Sequence, residues 1–124
     1  MLVYLTASGG KAEIGANGSV FLKGSDQGST YKGLLFFGNR SMPATTHTFG
    51  GGGAMTLEGT IYLTNTTMTS TTFQTVRLRG SSGSSTLIKG QIIVSAIDLG
   101  GTGDIIMQLN PDLLLTVPQV ALVN

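Results

Sequence analysis

A short unit recurs along the chain: a glycine, one variable residue, then an apolar, strand-like run. It stands as Lys32-Gly33-Leu34-Leu35-Phe36-Phe37, as Glu58-Gly59-Thr60-Ile61-Tyr62-Leu63 and as Lys89-Gly90-Gln91-Ile92-Ile93-Val94. The glycines lie 26 and then 31 residues apart. Two relatives, Gly18-Ser19-Val20-Phe21-Leu22 and Gly103-Asp104-Ile105-Ile106-Met107, sit 15 residues before the first unit and 13 after the last. Self-similarity of this kind marks stacked repeats, because one unit alone cannot bury its apolar side. Side chains alternate along a strand, so residues two and four after each glycine share a face. Those columns read Leu35, Ile61, Ile92 and Phe37, Leu63, Val94, with Val20, Leu22, Ile105 and Met107 expected in intervening strands. All are apolar, as an interior requires. The repeated glycine permits a positive φ at the corner where the chain turns into each strand.

Composition agrees with this phase. Charged residues make up 10% of the 124-residue chain, against about 25% in an ordinary soluble domain. Gly alone fills 19 positions, and Gly, Thr, Ser and Asn together exceed a third of the sequence. This favours short strands and tight turns over a helical bundle. A 40% hydrophobic content and a net charge of +1 argue against disorder. Two segments read as loops leaving the coil: Gly38 to Gly53, with Pro43 and the run Gly50-Gly51-Gly52-Gly53, and Gly80 to Ser85. The tail, Leu113 to Val117 and Val120 to Val123 around Pro118, reads as two strands closing the last rung. The expected fold is all-β, a single-stranded right-handed parallel β-solenoid (β-helix) of about four rungs over residues 1–124. An antiparallel β-sandwich is the alternative.

Two stretches resemble a known family. Tyr31-Lys32-Gly33-Leu34-Leu35-Phe36-Phe37-Gly38-Asn39-Arg40 and Leu57-Glu58-Gly59-Thr60-Ile61-Tyr62-Leu63-Thr64-Asn65 are similar to the C-terminal β-rich region of TadG-like proteins. These are bacterial tight-adherence (Tad, Flp) pilus-assembly proteins. Val3-Tyr4-Leu5-Thr6 and Val120-Ala121-Leu122-Val123 resemble the ends of that region. Leu63-Thr64-Asn65-Thr66 departs from the proline-containing corner of the family. The resemblance implies the distal, non-catalytic domain of an exported protein whose N-terminal membrane anchor is absent here. It also implies a place at the bacterial cell surface, in the periplasm or outside the cell, with other surface or pilus proteins as partners. Met1 runs straight into Leu2-Val3-Tyr4-Leu5-Thr6 with no leader, so the expectation is a domain taken from the C-terminal part of a longer chain.

The ionisable inventory is thin for chemistry. The lone histidine, His47, falls in the segment read as a loop, where a solvent-exposed side chain is expected. Without cysteine and with one histidine, a zinc site is not expected, and no cofactor is. The acids are Glu13, Asp26, Glu58, Asp98, Asp104 and Asp112; Asp98 and Asp104 flank Gly100 to Gly103, where convergence on calcium is conceivable but ordinary turn chemistry is expected. Gly50 to Gly53 lacks the Lys-Ser/Thr of a phosphate loop and reads as a flexible surface loop. Asn17, Asn39 and Asn65 begin glycosylation-type triplets that carry little weight in so Ser/Thr-rich a chain. The seven basic residues are dispersed, which speaks against nucleic acid, and Arg77 and Arg79 share one face at strand spacing.

The third residue after each glycine should point outward, and it is large: Phe36, Tyr62 and Ile93, with Phe21 and Ile106 beside them. Such a ladder needs cover, either from the Gly38–Gly53 loop or from another chain, and is the candidate interaction surface. The expected function is therefore non-catalytic: a structural domain of a Tad-type pilus-assembly or adhesion apparatus. A self-associating, filament-forming solenoid subunit is the first alternative, because solenoid ends expose unpaired strand edges. A carbohydrate-acting β-helix protein is the second.

Overall fold

The structure is a computed structural model describing residues 1–8, 10–15, 17–25, 30–65, 72–83 and 85–108. The expected strands at 113–123 lie outside the described residues. Within them the fold is all-β without helix, and the strands form two sheets. In chain order they are β1 (Val3–Leu5), β2 (Glu13–Ile14), β3 (Val20–Lys23), β4 (Leu34–Gly38), β5 (Thr45–Gly50), β6 (Met55–Leu63), β7 (Gln74–Gly80), β8 (Ser85–Val94), β9 (Ala96–Gly101) and β10 (Asp104–Gln108). The first sheet runs β1-β4-β6-β8-β10 with β3 also on β6, and the second runs β2-β5-β7-β9. Every pairing among these strands is parallel, so the described residues do not form an antiparallel sandwich. From β4 onward the chain alternates strictly between the two sheets.

Gly33 (φ +84°) stands where the chain turns into β4, as expected, whereas Gly59 and Gly90 lie inside strands rather than at corners. Gly59 (φ +136°) and Gly90 (φ +155°) are opposite each other in the middle of β6 and β8. They divide each long strand into a leading half and a trailing half. β3 lies along the leading half of β6, Met55–Glu58, while β4 lies along its trailing half. Between them the chain leaves the sheet at Gly24, whose N–H donates to Glu58 O (2.7 Å), and returns at Gly33, whose O accepts from Thr60 N (2.6 Å). Two short strands thus do the work of one long one. It follows that Val20, Leu22, Ile105 and Met107 belong to the same sheet as the glycine units, not to an intervening one.

The intervening sheet is built by β5, β7 and β9 with the short β2, and β5 falls within the segment read as a loop. Thr45 to Gly50 alternates half-buried with buried positions, His47 and Phe49 pointing inward. Phe49 meets Phe36 of the first sheet at a ring separation of 5.1 Å. The core between the sheets is filled by Leu35, Met55, Leu57, Ile61, Leu63, Val76, Leu78 and Ile88, all essentially inaccessible to solvent. Each such side chain is worth ~1.5–3 kcal/mol relative to exposure, so this alternation is the main stabilising feature. The apolar columns weaken at one end. Val76 and Leu78 are fully buried, whereas their register partners Ile97 and Leu99 on β9 are 45% and 56% exposed.

Candidate interaction surface

The outward column exists, but its membership differs from the expected one by one residue. A register shift between Leu34 and Phe36 sets Phe36 opposite Ile61 and Phe37 opposite Tyr62. Phe36 is therefore core, and Phe37 takes its place on the outer face. The bulge places one extra residue in β4 and so flips the side chains beyond it. The column reads Tyr4, Phe37, Tyr62, Ile93. Its aromatic rings stack nearly parallel: Tyr4 to Phe37 at 5.8 Å and 18°, Phe37 to Tyr62 at 5.5 Å and 15°. Parallel in-register strands present identical faces at each step, which is what lines the rings up.

Cover for this column is partial and comes from a different segment than expected. Phe37, Tyr62 and Ile93 are half-buried, and Tyr4 is exposed. Gly38 to Gly53 is no lid, since it carries β5 into the second sheet and buries Met42 in the core. Tyr31, just before the chain re-enters the sheet at Gly33, lines a cavity of about 460 Å³ with Leu2, Tyr4 and Phe37. Asn39 ties the upper end of the column to the following turn: its Nδ2 donates to the Tyr4 hydroxyl (2.9 Å) and its Oδ1 accepts from Ser41 N (2.9 Å).

His47 is not solvent-exposed. It is fully buried in β5, its Nδ1 accepting the Ala12 N–H (3.1 Å) and its Nε2 lying 2.8 Å from Gln74 Oε1. An acceptor at Nδ1 places the proton on Nε2, which donates to Gln74. Gln74 Nε2 in turn donates to Pro43 O (2.7 Å) and Thr72 O (3.3 Å). Burial holds the imidazole below its ordinary pKa; the Gln74 bond opposes this and the Lys11 charge adds to it. The network links β2, β5 and β7 structurally and leaves the ring no free nitrogen for catalysis.

Asp98 and Asp104 do not converge. Asp98 is gripped by Arg79 Nη2 (2.9 Å) and Arg77 Nε (3.0 Å), and these bonds draw its carboxyl below the usual carboxylate range. Arg77 and Arg79 do share one face, but as ion-pair partners rather than free charges. Asp104 instead borders an open cavity of about 560 Å³ between the segments 52–54 and 102–104, with Gly83 and Ser85 beside them. Among the described residues, no three His, Cys, Asp or Glu side chains gather in a metal-binding group. The glycine run packs closely: a Cβ on Gly53 would strike Gly18 O on the neighbouring turn. Asn65 is buried with its Nδ2 on Met42 O (2.6 Å), which removes it as a glycosylation acceptor in the folded chain.

No family model matches the chain, and neither a curated protein nor a solved structure matches it.

Proposed function

We propose that this chain is a non-catalytic structural domain of a bacterial Tad-type pilus-assembly or adhesion apparatus, folded as a right-handed parallel β-solenoid of about four rungs. One observation carries the architectural half. The chain steps between two parallel sheets and returns in register, with Met55 to Leu63 running along Thr86 to Val94 and Thr45 to Gly50 along Gln74 to Arg79. Stacking of this kind supports a coil, in which each rung contacts only its neighbours. A coil of this kind supplies a stiff body and a regular outer face, and the Tyr4–Phe37–Tyr62–Ile93 column offers that face to another protein of the apparatus.

Placement in the Tad apparatus rests on the likeness of residues 31–40 and 57–65. The doubled Leu-Leu-Phe-Phe of the first motif has a physical use here: three of its residues enter the core and the bulge leaves Phe37 for the outer column. Surface immunolabelling of the source bacterium, with pilus counts in a strain lacking the protein, tests the placement. Surface label with loss of pili supports it, and unchanged piliation overturns it. A crystal structure tests the coil, which requires rungs ~4.8 Å apart on a right-handed path.

A further inference from the structure

The first sheet ends in complementary steps. β8 runs from Ser85 to Val94, but β10 pairs only with its leading half, Ser85 to Lys89. Beyond Ile92 to Val94, no further strand is paired among the described residues. At the opposite end the reverse holds. β1 pairs only with Phe36 to Gly38, in the trailing half, and β3 is the outermost strand of the leading half. Among the described residues, the half-strand left unpaired at one end is the half-strand that projects at the other.

Exposed apolar side chains mark both ends, with Phe73 before β7 standing apart from them. Tyr4 and Phe21 stand at the first end, and Ile97, Leu99, Ile106 and Met107 at the last. They occupy continuing columns: Phe21-Thr56-Leu87-Ile106, Leu22-Leu57-Ile88-Met107 and Ile14-Phe49-Leu78-Leu99. The second and third columns are buried in mid-stack at Leu57, Ile88, Phe49 and Leu78 and less covered at their ends, a template for a further rung. The first runs along the outer face through Thr56 and Leu87.

We propose that the two ends dock head to tail, with a second copy of this chain as the occupant. Its β1 lies on Ile92 to Val94 and, together with β10, completes one full-length strand, as β3 and β4 together match β6. Its β3 then covers β10, setting Phe21 on Ile106 and Leu22 on Met107, and its β2 covers β9, setting Ile14 on Leu99. In sequence, the residues after Gln108 are Leu109, Asn110 and Pro111, which carry no counterpart of Gly59 and Gly90 and, at Pro111, no backbone N–H. The docking also brings Glu13 near Asp98, but each carboxylate has its own counter-charge, Lys11 for Glu13 at 3.0 Å and the two arginines for Asp98. A head-to-tail contact that continues the stack along one axis does not close into a ring and produces open-ended assemblies. Such docking needs the stacked parallel strands but no pilus apparatus.

Sedimentation velocity over a concentration series tests this with Phe21→Lys and Ile106→Lys, each disabling one end through an exposed, outward-facing residue. The unaltered chain is expected to form an open series of species, and each variant alone to lose everything above monomer. An equimolar mixture is expected to form a dimer and stop there, because one variant keeps its last end and the other its first. Far-UV circular dichroism checks that the variants stay folded, and Tyr4→Lys with Leu99→Lys repeats the pair if either does not. An unaltered chain that stays monomeric throughout overturns the proposal. So does association that survives in a single variant, or a mixture that stays monomeric.

Discussion

Gly90 lies opposite Gly59 across β6 and β8, so close that a Cβ on Gly90 would strike the Gly59 carbonyl oxygen. The repeat glycine therefore has two reasons to be glycine: a positive φ, and a neighbouring backbone that leaves no room for a side chain. Gly83 also has a positive φ, +80°, but open space around its Cβ position. Gly90→Ala should cost more than the ~1–3 kcal/mol of backbone strain alone, while Gly83→Ala should stay within it. Urea unfolding of the two variants separates collision from strain, and equal losses would show that the glycine column is not tightly stacked.

The bulge in β4 makes a second contrast. Phe36 is 3% exposed and packs on Phe49, whereas Phe37 lies on the half-covered outer column. Phe36→Ala should destabilise by ~3–5 kcal/mol, the usual range for a buried phenylalanine. Phe37→Ala should cost about 1–2 kcal/mol, from partial exposure and lost ring stacking. Chemical denaturation of both variants gives the ranking, and a reversed order would place Phe36 on the outer face after all.

Why the inward face of β6 is legible in the sequence and the placing of these two phenylalanines is not has a simple cause. Met55, Leu57, Ile61 and Leu63 alternate with Thr56, Glu58 and Tyr62, so the inward face of β6 can be read directly. Leu34-Leu35-Phe36-Phe37 is apolar at every position, and a bulge inside such a run leaves no trace in its periodicity. β5 is hidden for a different reason. Its alternation is carried by His47 and Phe49 among threonines, between Pro43 and a glycine run that look like loop chemistry. What makes His47 an inward residue is Gln74, 27 positions away, and local pattern says nothing of such a partner. The Asp98 clasp is likewise non-local, since its arginines lie on the preceding strand of the second sheet.

That clasp predicts a salt-sensitive loss. The Asp98 carboxylate accepts from both Arg77 and Arg79 on the outer face of the second sheet, where ions screen the attraction. Asp98→Asn should lower the melting temperature slightly at low ionic strength, and the gap should narrow in concentrated salt. Its folded pKa is depressed, so the stabilisation is present above the ordinary carboxylate pKa and is lost as pH falls through the folded value. Melting curves at two salt concentrations check this, and a gap that ignores salt would mean that the pair acts by packing.

His47 predicts a different pH window. Its folded pKa lies below the ordinary 6.5, so the unfolded chain takes up a proton first as the pH drops. Stability should therefore be complete above about pH 6.5 and decline as the pH falls from there toward the lower folded value. The geometry gives the reason: a proton on Nδ1 would face the Ala12 N–H, breaking the bond that ties the chain before β2 to β5 and leaving two donors opposed. Lys11, adjacent to Ala12, adds a like charge. His47→Leu should flatten this pH dependence, at a constant cost of ~1–3 kcal/mol for the unsatisfied backbone N–H and the orphaned Gln74. Thermal melts of both chains between pH 4.5 and 8 read the result, on roughly the scale set by the histidine titration range. The slope between pH 6.5 and 5 should vanish in the variant; if it persists there, another group governs the acid side and the His47 network is only packing.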